Sequence, residues 1–127
     1  MAFCIQRPET AFSQDRTGKR ERRIVDEAHL AFIRKLPSVV SGKGPCEACH
    51  IRAGSPIHRK RRTPMARKPD DAWTLPLTPD EHRDQHSVNE MEFWLRHGID
   101  PFTLALKLYA VTGDLEAGRR IIEDLER

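Results

Sequence analysis

The stretch LTPDEHRDQH (77–86) places His82 and His86 four residues apart. On a helix that spacing stacks both side chains on one face, so two imidazoles can reach one metal ion. A second group of soft donors, Cys46, Cys49 and His50, lies upstream within CEACH. Between the two groups, HRKRRTPMARK (58–68) holds six Arg or Lys and no acid. A charge run of that kind is either a solvated loop or a surface that takes phosphates. Imidazole, thiol and clustered cations together suit a metal site beside a surface that brings phosphates to it, or a structural metal staple.

The staple reading joins Cys46 and Cys49 to His82 and His86 as a Cys2His2 zinc site. The 32 residues between Cys49 and His82 exceed the linker of about a dozen found in an ordinary finger. A thioredoxin-like use of Cys46-x-x-Cys49 wants a βαβ setting, which the surrounding residues do not offer. Three cysteines, an odd count, argue against a disulfide framework. Phe93 and Trp94 read as core, His29 and His97 as surface or capping residues, and Cys4 as incidental.

These groups sit in a chain of 127 residues, 38% hydrophobic and 32% charged, with a net charge of +3. That is room for one domain with a modest core. Apolar runs fall well short of the roughly 20 residues that cross a bilayer. The opening MAFCIQRPET lacks the layout of a secretory signal. No membrane partner is expected, and the cytoplasm is the expected compartment.

Periodicity supplies the elements. Residues 1–22 are polar, charged and aperiodic, and read as a flexible basic arm ahead of a single domain over 23–127. Val25, Ala28, Phe32, Ile33 and Leu36 recur at helical spacing up to Pro37, and SGKG (41–44) is a turn. CEACHIRAG (46–54) reads as one arm of a hairpin or a loop, the basic run 58–68 as an exposed loop, and AWTLPL (72–77) as a short strand. Thr78, Pro79 and Glu81 form an N-cap, a first-turn proline and a capping box, opening a helix expected to run to about His97. PFTLALKLYAV after Asp100, and a last segment with Leu115, Ile121, Ile122 and Leu125, form a C-terminal helical hairpin.

The succession LAFIRKLP (30–37), CHIRAG (49–54), KPDDAWTLPL (68–77), EHRDQH (81–86) and FWLRHGIDP (93–101) resembles phage- and prophage-encoded HNH-type nucleases, nearest to the Ref-like group. The resemblance covers residues 27–101. It implies an α+β fold: a small ββα-metal core, preceded by a helix and followed by the C-terminal hairpin. It implies a metal-dependent endonuclease acting on DNA in phage recombination or DNA processing, within a bacterial host cell. By position, His50 becomes the general base or a metal ligand, and His82 and His86 hold the divalent ion, be it Mg²⁺, Mn²⁺, Zn²⁺ or Ni²⁺. Asp71 becomes the residue that orients His50 or the metal, while Arg52, Lys60 and Lys68 neutralise phosphates. Ser38, Ser41, Thr78 and Glu81 stand where many relatives carry structural zinc ligands. The competing expectations are a non-catalytic, zinc-stabilised nucleic-acid-binding module, and a degenerate nuclease serving a recombinase filament as an accessory protein.

Overall fold

Strand pairing starts from two short segments that differ in kind. EACH is buried only at Cys49, with Glu47 exposed and Ala48 and His50 half-buried. TLPL is buried at every position, which requires cover on both faces. In the computed structural model, which describes residues 23–64 and 67–125, they form the antiparallel ribbon β1 (Glu47–His50) and β2 (Thr74–Leu77). The register pairs Glu47 with Leu77, Ala48 with Pro76, Cys49 with Leu75 and His50 with Thr74. Pro76 lacks an N–H but still accepts a bond from the Val39 amide on its outer side.

Helices cover the ribbon. Five are present among the described residues: α1 (Glu27–Arg34), α2 (Pro79–Ser87), α3 (Glu90–Arg96), α4 (Pro101–Ala110) and α5 (Leu115–Glu123). The chain is therefore an α+β protein, and no helix among the described residues is long and apolar enough to cross a membrane. Helix α1 starts at Asp26, whose carboxylate caps the His29 amide, and packs Phe32 and Ile33 toward both strands. One cluster joins Ile33, Val39, Cys49, Ile51, Leu75, Leu77, Phe93, Trp94, Leu108 and Ile122. The expected C-terminal hairpin is α4 and α5, turned by Gly113 at φ 90° and capped again by Asp114. At its contact with α1, Gly118 leaves no room for a side chain: a Cβ there would stand 2.9 Å from Leu36 and 3.0 Å from Phe32.

Two expectations need correction. The helix beginning at Thr78 does not run to His97. It ends at Ser87, Val88 turns extended, and Asn89 caps α3 through its bond from the Glu92 amide. A β-branched residue followed by a strong N-cap residue is a stop and a start in succession. His29 is not a surface residue. It is fully buried, its Nδ1 2.7 Å from Thr112 Oγ1 and its Nε2 without a partner. The expected basic arm over 1–22 and Cys4 lie outside the described residues.

Candidate active site

His50 closes β1, and the loop before β2 brings Asp71 to it: His50 Nε2 donates to Asp71 Oδ1 at 2.9 Å. Asp71 is fully buried and takes two further bonds, from the Arg23 guanidinium at 2.9 Å and the Asp26 amide at 2.8 Å. Burial alone would raise its carboxyl pKa. The bonds from His50 and the Asp26 amide, with the charge of Arg23, hold it below the ordinary value. Burial also lowers the His50 pKa against the pull of Asp71, and Lys68 and Arg23 push the same way as burial. The result is a neutral imidazole with its Nε2 hydrogen committed to an ionised carboxylate. Its Nδ1 lone pair is left as a proton acceptor.

The helical histidines form a second pair. His82 and His86 stack edge-to-face with ring centroids 4.6 Å apart, as the four-residue spacing requires. His82 Nδ1 donates to Glu47 Oε1 at 2.8 Å, the carboxylate–imidazole pairing that orients a metal-ligating ring and frees its Nε2. Burial and the neighbouring His82 lower the His86 pKa, which favours the neutral, ligating form. Both rings line a shallow depression of about 470 Å³ with Glu47, Pro79, Arg83 and Ser87. The donor type and one-turn spacing suit a divalent ion held by His82 and His86 with water completing its shell. No group of three or more His, Cys, Asp or Glu among the described residues converges on such an ion.

The two pairs do not merge. Glu47 and His50 are three residues apart on β1, roughly 10 Å at strand rise. An odd separation on a regular strand turns their side chains to opposite faces. Glu90 marks the face of the helical pair: its carboxylate accepts the Arg52 and Ala53 amides at 3.0 Å each, fixing the chain just beyond β1 against the start of α3.

Other expected site residues are placed differently from a loose cationic loop. The Arg52 guanidinium donates to the Pro64 and Arg67 carbonyls at 3.0 and 2.8 Å, holding the second half of the basic segment to the chain just beyond β1. Lys60 is buried, its ammonium 3.3 Å from the Arg61 carbonyl and 5.8 Å above the Trp73 ring. Burial lowers its pKa. Lys68 remains exposed, as do Arg59, Arg61, Arg62 and Arg67.

Cys46 and Cys49 are both buried free thiols. Cys49 lies in the core with its sulfur toward the His50 carbonyl, and Cys46 donates to the Lys43 carbonyl at 3.3 Å. Burial raises both thiol pKa values, Cys46 to about 11. Ser38, Ser41, Thr78 and Glu81 do converge, as a hydrogen-bonded knot. Ser38 Oγ donates to Glu81 Oε1 at 2.5 Å, the Thr78 amide donates to the same oxygen at 2.9 Å, and the Ser41 amide donates to Ser38 Oγ at 3.1 Å.

Sequence reasoning missed Arg23, Glu47 and Glu90. Each acts on a partner 35 or more residues away, and only the tertiary fold brings them there. A signal existed for Glu47 alone: a carboxylate beside Cys46 on the strand that leads to His50. Compared with known proteins, the chain matches no family model, no curated protein and no solved structure.

Proposed function

We propose that this chain is a metal-dependent endonuclease of the HNH-like type, hydrolysing the phosphodiester backbone of DNA on a ββα core made by β1, β2 and α2. The observation that carries the reading is the His50–Asp71 pair: a neutral imidazole oriented by a buried carboxylate, itself neutralised by Arg23. His50 Nδ1 takes the proton of the water that attacks phosphorus, and the resulting imidazolium is stabilised by Asp71 across the Nε2 hydrogen bond. As the new P–O bond forms, the bond to the leaving oxygen breaks, and that oxygen takes a proton from solvent. A divalent ion held by His82 and His86, on the other face of β1, would supply positive charge for a neighbouring phosphate of the same backbone, apart from the proton transfer at His50. Lys68 and the exposed arginines of 59–67 attract the DNA backbone.

A second reading is favoured by the separation of the two histidine pairs along β1. On that reading the chain is a DNA-binding accessory protein, serving a recombinase filament without cutting. Plasmid cleavage across Mg²⁺, Mn²⁺, Zn²⁺ and Ni²⁺ separates them. We expect nicking or linearisation with at least one ion, lost in His50→Ala and in His82→Ala. If the parent protein cuts with none of these ions, the accessory reading stands and the nuclease reading does not.

A further inference from the structure

The turn that leads into the basic segment is braced and carries an exposed apolar residue. Beyond β1 the chain continues as a narrow arm, closed by the Thr63 amide on the Arg52 carbonyl at 2.8 Å and by reciprocal amide bonds between Ser55 and Lys60 at 2.8 and 3.0 Å. Gly54 makes the closure possible, since a Cβ there would lie 2.8 Å from the Arg62 amide nitrogen. Within the turn, the His58 and Arg59 amides donate to the Ser55 and Pro56 carbonyls, and Arg59 adopts φ 55°. The arm is pinned to the body through His58, whose ring hydrogen-bonds Ser55 Oγ at 2.8 Å and Thr103 Oγ1 at 3.2 Å and stacks on Phe102. Thr103 in turn donates to Asp100 at 2.8 Å.

At the end of this braced turn stands Ile57, 90% exposed, the most exposed of the large hydrophobic residues described. Arg59, Arg61 and Arg62 follow it within five residues and are themselves exposed. An isoleucine presented on a braced turn beside three exposed arginines is poorly suited to water. It matches a polyanion that has apolar surface to offer between its charges. Stacked base steps within a phosphate backbone are such a surface, and apolar wedges backed by arginine are a physical route to unstacking them. Seven residues separate Ile57 from His50, so the tip lies at most about 25 Å from the imidazole, less than one turn of duplex of about 34 Å.

We infer that Ile57 is a wedge that inserts into a base step of duplex DNA while Arg59, Arg61 and Arg62 hold neighbouring phosphates. This rests on the DNA-binding part of the function proposed above and adds how the substrate is deformed. The test uses the full chain without divalent ion, on duplexes carrying 2-aminopurine at TA and CA steps. Binding should raise the fluorescence as the base unstacks. Ile57→Ser should lose the rise while keeping its circular dichroism, its melting temperature and the slope of affinity against salt. Ile57→Met, still apolar, should keep the rise. The wedge is overturned if the parent protein binds duplex without any rise, if Ile57→Ser unstacks as well as the parent, or if the protein binds no DNA. It is also overturned if Ile57→Ser instead loses binding to anionic phospholipid vesicles, which would assign the tip to a membrane surface. Cleavage is scored separately: unstacking without cutting by any ion keeps the wedge and removes the nuclease, and cutting with unstacking unaffected by Ile57→Ser does the reverse.

Discussion

At the scale of single residues, the chemistry turns on which nitrogen of His50 is free. Asp71 takes Nε2, so Nδ1 is the acceptor. Its folded pKa lies below the ordinary 6.5 because of burial and the nearby cations. Cleavage limited by this base should therefore rise with pH along a limb centred below 6.5, and His50→Ala should abolish it by about 10²- to 10⁴-fold. A pH–rate profile with the limb above 7 would contradict that assignment. Asp71→Asn keeps the size of the side chain but removes the charge opposite Arg23 and the imidazolium. It should shift the limb to still lower pH and reduce the plateau. Asp71→Ala should also destabilise the fold, by about 3 kcal/mol, because it strands the Arg23 charge and the Asp26 amide. Denaturant unfolding of the two variants tells the electrostatic loss from the structural one.

At the scale of elements, the capping box at Thr78 and Glu81 was legible from residue types, and so were the core positions Phe93 and Trp94. Local chemistry decides both. The break between α2 and α3 was less legible, because the helical pattern continues past Val88 and only Asn89 signals a restart. His29 escaped altogether: nothing in its own segment says that Thr112, 83 residues on, will hold its ring. The site followed the same rule. The i,i+4 pair His82–His86 is local and could be read directly, whereas Glu47, Arg23 and Glu90 reach their partners only through tertiary register. Thr78→Ala should cost about 1 kcal/mol through the lost cap. Glu81→Ala should cost more, about 1–3 kcal/mol, since it also leaves the Ser38 hydroxyl and the Thr78 amide without their common acceptor. Equal melting temperatures for the two variants would mean that the knot adds nothing beyond the cap. Gly118→Ala should lower the melting temperature although alanine is the better helix former, because its methyl group meets Leu36 and Phe32.

At the scale of the whole molecule, acid should act in two stages. His29, His50 and His86 all have folded pKa values below 6.5. The unfolded chain therefore binds protons first as the pH falls through 6.5, and stability declines from there. Asp71, Glu81 and Asp100 have folded pKa values below their unfolded 3.8, 4.5 and 3.8. Their contribution is intact above those values and is lost only as the pH falls through the folded ones. Unfolding free energies measured from pH 8 to pH 3 should show both declines, and a flat response between 7 and 5 would deny the histidine stage. The sealed position of Cys49, with Leu75 opposite it across the ribbon, makes the chain its own stopwatch. A thiol-reactive dye can meet that sulfur only when the packing over its face of the ribbon opens. With Cys4 and Cys46 replaced by serine, the rate at which the dye attaches would count how often that cover lifts.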